Sequence, residues 1–154
     1  MTLGDLDEAL PEIKKHADKL HAIGEIGLDF TPHHITSLTD VDMQKLVFAK
    51  QIEIAKELDI PVNVHSRSAG PQAVAFMKEN QVTKALLHNF SGRASVALDG
   101  AAYGYYFSFP PYIINTNQRD KLIKQLPLEH IMLETDSPSL GPVKGERNTP
   151  SNIL

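Results

Sequence analysis

Six side chains stand where short apolar runs end: Glu25 and Asp29, His65, His88, and Glu134 and Asp136. Imidazole and carboxylate are donors for divalent cations. Neutral imidazole suits zinc, manganese, iron or cobalt better than magnesium, and a carboxylate can bridge a pair of ions. An ion held in this way lowers the pKa of bound water towards about 7 and clamps a phosphoryl oxygen. Taken singly, each residue has a plainer reading. A strand Glu serves as a salt-bridge partner, and a lone strand His is usually a hydrogen-bonded core residue. Two histidines and two acids at equivalent strand ends favour the cation, because burying all four without one is costly. Arg67 follows His65 by two residues, so on an extended strand it points the same way and could hold a phosphate oxygen bidentately. A surface Arg paired with a nearby acid is the alternative. His33 and His34 read as a solvated loop. Of Tyr103, Tyr105, Tyr106, Phe107 and Phe109, most read as core, with one or two free to stack on a base.

Five apolar runs must position these groups: Leu20 to Phe30, Ile60 to His65, Lys84 to Phe90, Gly104 to Phe109 and His130 to Asp136. Each is short and apolar on consecutive positions, the pattern of a strand buried on both faces. Helical patterns lie between and before them, over Leu6 to Leu20 with an interruption at Pro11, Asp40 to Asp59, Pro71 to Asn80, Arg93 to Ala102 and Asn117 to Gln125. Strand and helix in alternation predict an α/β fold with a parallel sheet and helical crossovers. An open doubly wound sheet is disfavoured because no glycine-rich phosphate loop follows any strand. A barrel is favoured because Glu25, His65, His88, Ser108 and Asp136 all fall at or near C-terminal strand ends, where barrels build their sites.

The bulk properties narrow the function. The 154 residues fit one domain, and 42% hydrophobic and 22% charged residues are average for a globular chain. No apolar run reaches the length of a membrane span, and the acidic N-terminal stretch lacks the layout of a secretory signal. The absence of cysteine excludes disulfides and thiolate metal sites and is compatible with an intracellular compartment, cytoplasmic or nuclear. A net charge of -4 argues against a protein that coats nucleic acid, but not against an enzyme that attracts phosphate through bound cations.

Several segments together carry a resemblance: AIGEIGLDF at Ala22 to Phe30, PVNVHSRSA at Pro61 to Ala69, LLHNFSG at Leu86 to Gly92, YYFSF at Tyr105 to Phe109, MLETDSPSLGP at Met132 to Pro142 and RNTP at Arg147 to Pro150. In this order and spacing the chain resembles the TatD family of metal-dependent deoxyribonucleases. The resemblance implies a TIM (β/α)8 barrel of the amidohydrolase type with one or two divalent metal ions, zinc first and manganese or magnesium next. It implies that Glu25 bridges two ions, that His65 and His88 hold one, that Asp136 binds the other and helps activate water, and that Arg67 lies near the scissile phosphate. The implied reaction is cleavage of phosphodiester bonds in DNA by metal-activated water.

The pattern also departs from the family. No His-x-His pair occurs near the start, the strand bearing Glu25 corresponds to the family's fourth, and the chain stops just after Asn152-Ile153-Leu154. A full barrel takes about 250 residues. The expectation is therefore one incomplete domain over residues 1–154, a partial barrel of strands four to eight only, with unpaired edges and reduced stability. An inactive truncated form that binds metal or a partner without turnover is the main alternative. A metal-dependent amidohydrolase or lactonase is the lesser one, because Glu25 takes the bridging place that a carboxylated lysine holds in several such enzymes.

Overall fold

The computed structural model describes the backbone of residues 3–115 and 117–153 and the side chains of residues 4–113 and 121–153. Among the described residues, five α-helices and five strands alternate as the sequence predicts: α1 (Leu3–Lys15), β1 (Ile23–Gly27), α2 (Leu38–Glu57), β2 (Val62–His65), α3 (Gly70–Glu79), β3 (Ala85–Leu87), α4 (Ala94–Ala102), β4 (Tyr106–Phe109), α5 (Asn117–Gln125) and β5 (Ile131–Leu133). The strands form one sheet in the order β1-β2-β3-β4-β5, every neighbouring pair parallel. Sequential order with a helix in each crossover is the arrangement of an arc of a (β/α) barrel.

Burial alternates along the central strands. Val62, Val64, Ala85, Leu87 and Phe107 are buried and join Phe48, Ile52, Val74 and Met77 of the helices in one apolar core. The residues between them, Asn63, His65, Leu86 and Tyr106, are less buried and lie on the opposite face, since successive strand side chains point to opposite sides. Among the described residues β1 and β5 each pair on one side only, and β5 leaves Met132 42% and Leu133 67% exposed.

The first two helices differ most from the sequence reading. The leading helix was expected over Leu6 to Leu20 with a break at Pro11. It runs over Leu3–Lys15 straight through Pro11, and a short 3-10 turn follows at Ala17–Lys19. Pro11 removes the bond to the carbonyl of Asp7, but both residues are exposed, so water can take that carbonyl. The second helix starts at Leu38 rather than Asp40, because Ser37 and Asp40 cap it reciprocally. Ser37 Oγ accepts from the Asp40 N–H at 3.3 Å, and Asp40 Oδ2 accepts from the N–H groups of Ser37 and Thr36 at 2.8 Å each. Replacing Ser37 by alanine is expected to lower stability by about 1 kcal/mol, the usual worth of such a cap. A urea midpoint unchanged from wild type would refute this.

β1 carries an extra residue against β2. Ile23 pairs with Val62 and Ile26 with Val64, so three steps on β1 match two on β2. Such a bulge re-aims the side chain within it, and here that side chain is Glu25. Two glycines permit the arrangement. A Cβ on Gly24 would lie 2.6 Å from the Cβ of Asn63, and one on Gly27 would strike the carbonyl oxygen of His65.

Candidate metal centre

The sheet ladder continues past the strand ends and sets the backbone of the site. The N–H of Leu28 donates to His65 O at 3.0 Å, that of Phe30 to Arg67 O at 3.0 Å, that of His88 to Val64 O at 3.1 Å, and that of Glu134 to Phe109 O at 3.4 Å. The segments carrying Glu25, His65, His88 and Glu134 are thereby held side by side at the C-terminal end of the sheet.

Three side chains meet there. Glu25 Oε1 lies 2.6 Å from His65 Nδ1 and 2.8 Å from His88 Nε2, and the two ring nitrogens are 3.3 Å apart. Donors bonded to one tetrahedral ion at the usual 2.0–2.1 Å stand roughly 3.3 Å apart, so the ring nitrogens already have that spacing and Glu25 sits slightly inside it. All three donor atoms fall within 4.8 Å of one another. The chemistry of the set, two imidazoles and one carboxylate, fits a divalent ion of the zinc or manganese kind.

Two further carboxylates flank the trio. Asp29 Oδ2 lies 3.0 Å from His65 Nε2, while its Oδ1 accepts from the N–H of Thr31 at 2.9 Å and the hydroxyl of Thr31 at 2.8 Å. Glu134 Oε2 accepts from Ser108 Oγ at 3.0 Å and stands 3.6 Å from His88 Nδ1. Gln44 of α2 clamps the backbone of Asp29: the Asp29 N–H donates to Gln44 Oε1 at 2.8 Å, and Gln44 Nε2 donates to Asp29 O at 2.9 Å.

The charge states follow. Burial pushes the carboxyl of Asp29 up, but the hydrogen bonds from Thr31 and His65 outweigh it and hold it at about 2. Burial likewise raises Glu25, and the bonds and charges of His88 and His65 bring it below the usual carboxylate range. The Glu134 carboxylate, opposed by burial and assisted by Glu25, pushes the His88 imidazole up to about 9.

A cleft of about 580 Å³ opens over this centre, lined by Glu25, His65, Arg67, His88, Asn89 and Asp136 among others. A second cleft of about 530 Å³ lies on the other side of Glu25 and His65, against Asp29, His34 and Gln44. Asp136 lines the first cleft and accepts from Asn89 Nδ2 at 3.4 Å, but it does not join the convergent trio. Arg67 reaches the cleft by another route than the one expected. β2 ends at His65, and Arg67 sits in the turn that follows, beside Ser68 at a φ of 56°. It is exposed, not aligned with His65 on an extended strand. His33 and His34 are exposed loop residues with rings 4.2 Å apart, and His34 Nε2 is 4.0 Å from Asp29 Oδ2. Tyr105, Phe107 and Phe109 are core, and Tyr106 is partly exposed.

Asp29 and Glu134 were visible in the sequence as strand-end acids without a role, and Asn89 and Gln44 were not singled out. Asp29 had one readable signal, the Asp-x-Thr spacing of an Asx turn.

The TatD related DNase family model matches residues 2–154. The chain is 53% identical over 153 residues to a human protein called deoxyribonuclease TATDN3, covering 99% of this chain and 56% of that one. It is 35% identical over 150 residues to the Bacillus subtilis metal-dependent hydrolase YabD, covering 94% and 57%. Among solved structures, YJJV, a TatD homologue from Escherichia coli, matches with a TM-score of 0.84 at 26% identity, covering 96% of this chain and 59% of that one. The chain thus spans about half the length of the curated relatives it matches.

Proposed function

The chain belongs to the TatD related DNase family, and from that premise we propose that it hydrolyses phosphodiester bonds in DNA at the cleft above Glu25, His65 and His88. The observation that carries this reading is the convergence of three donor atoms, one Glu25 oxygen at 2.6 and 2.8 Å from a nitrogen of each histidine. Glu25, His65 and His88 would hold the first ion, and Glu25 with Asp136 a second. We take zinc as the ion because mixed nitrogen and oxygen donors suit it, with manganese or magnesium as alternatives. When bound, the ion supplies Lewis acidity to water and to a phosphoryl oxygen.

The chain's own residues do the rest. Asp136, oriented by Asn89, accepts the proton of the attacking water. Arg67 at the mouth binds a non-bridging phosphate oxygen, and the fork of its guanidinium matches two such oxygens. No helix among the described residues is long and apolar enough to cross a membrane. We place the chain in a cytoplasmic or nuclear compartment, in keeping with its lack of cysteine.

The test uses protein stripped with a chelator and reloaded with zinc, manganese or magnesium, assayed on single-stranded and duplex DNA. Wild type should cleave only when reloaded. Glu25→Gln should lose more than the roughly hundredfold that marks an outer-sphere partner. Equal cleavage by the two proteins would remove Glu25 from the reaction.

A further inference from the structure

The two histidines of the centre present opposite ring nitrogens, Nδ1 for His65 and Nε2 for His88, and each has a carboxylate at its other nitrogen, Asp29 or Glu134. We infer that Asp29 and Glu134 are positioning residues that fix the tautomers in which His65 and His88 can ligate an ion. The inference rests on the ion site proposed above and concerns residues outside it.

A ring nitrogen that carries a proton cannot ligate, so each histidine must keep its proton on the nitrogen away from the ion. Ionised Asp29 is an acceptor only. At 3.0 Å it can hold the His65 proton on Nε2, so that Nδ1, which faces Glu25 at 2.6 Å in the ion-free protein, can turn its lone pair to an ion. Glu134 acts on the opposite atom of His88. Its Oε2 faces Nδ1 at an ion-pair distance of 3.6 Å and is steadied by the Ser108 hydroxyl. Its Oε1 is buried without a hydrogen-bond partner. An ionised carboxylate only accepts, so the oxygen that faces Nδ1 favours the tautomer of His88 with its proton on that nitrogen.

The surroundings of Asp29 yield an asymmetric test. Thr31 offers two donors to Oδ1. In Asp29→Asn the amide oxygen must take that position, which turns the NH2 group towards His65 Nε2. Nε2 then has to accept, the proton moves to Nδ1, and the ligating lone pair is lost. Asp29→Ala leaves the ring free to adopt either tautomer. A role in tautomer choice therefore makes Asn worse than Ala for ion binding. A merely structural role makes Ala worse, because Ala also forfeits the bonds from Thr31.

Zinc binding would be measured by calorimetry on the stripped 154-residue protein, with Tm of the ion-free forms as the measure of structure. Asp29→Asn is expected to weaken zinc by about 100-fold and Asp29→Ala by about 10-fold, the range for such partners, while Tm falls further for Ala. Glu134→Gln is expected to weaken zinc by about 10-fold. Ser108→Ala, which leaves every charge in place, should have an effect of a few fold and serves if Glu134→Gln does not fold. In isotope-labelled protein loaded with cadmium, coupling to the metal should appear at His65 Nδ1 and His88 Nε2 in wild type, and the His65 coupling should vanish in Asp29→Asn. Alanine weakening zinc as much as asparagine, or coupling unchanged in Asp29→Asn, would overturn the inference and leave the ion site standing. No zinc or cadmium bound by wild type would overturn both.

Discussion

Replacing His88 by alanine is expected to abolish ion binding and, in the ion-free protein, to lower stability by about 3 kcal/mol near pH 6. His88 lies between two carboxylates, Glu25 at 2.8 Å and Glu134 at 3.6 Å, with its side chain only 9% exposed. Its imidazole is pushed from the ordinary 6.5 up to about 9. A group raised on folding stabilises the native state fully below its unfolded value and loses that contribution as pH rises through its folded value. The shift corresponds to about 3 kcal/mol at 1.36 kcal/mol per unit, present below pH 6.5 and gone above about pH 9. The difference between wild type and His88→Ala should accordingly be large at pH 6 and shrink by pH 10 to what the lost packing alone accounts for. In the variant the Glu134 carboxylate loses the imidazole that stands 3.6 Å from it, and leaving a carboxylate unpaired there is costly. Chemical denaturation of the chelated proteins at the two pH values checks this. A gap that stays constant, or widens with pH, would contradict the assigned charge of His88.

Gly27→Ala is expected to be the most damaging single methyl addition in the molecule. Gly27 has a φ of +135°, which L side chains rarely adopt, and an added Cβ would strike the His65 carbonyl oxygen and lie 3.0 Å from His65 N. Those are backbone atoms, so no side chain can turn aside. The same carbonyl accepts from the N–H of Leu28, the bond that carries the β1–β2 ladder into the site. Separating the strands there moves Glu25 and His65 apart, so fold and ion site fail together. The expected loss exceeds about 4 kcal/mol, in the range reserved for backbone strain and core disruption. In a domain whose whole stability is of order 5–15 kcal/mol, that should remove the cooperative melt. A soluble variant melting within about 5 °C of wild type would refute it.

Much of this was legible in the residues. Runs such as IPVNVH and KALLHNF give themselves away as parallel strands because the helix-facing residues, Val62, Val64, Ala85 and Leu87, are fully apolar. Glu25, His65 and His88 were legible because donors of those types are unusual at strand ends. Their convergence required only the parallel order, which the alternation of elements supplies. Arg67 lines the cleft from a turn and not from an extended strand, because the left-handed conformation at Ser68 is backbone geometry that strand counting does not contain. The parts played by Asp29 and Glu134 were hidden because they depend on which edge of each ring faces which acid. That is decided by the bulge in β1 and by rotamers, not by spacing. Pro11 does not interrupt the leading helix, because the cost of a proline depends on whether the orphaned carbonyl meets water.

The grip of Gln44 on both backbone groups of Asp29 ties a loop beside the candidate ion site to the second turn of a 20-residue helix. The amide hydrogen of Asp29 is thus shielded by a side chain rather than by a neighbouring strand. Its exchange with deuterium should follow the opening of that helix, making this single amide a reporter of whether the rim of the cleft and its supporting rod come undone as one unit.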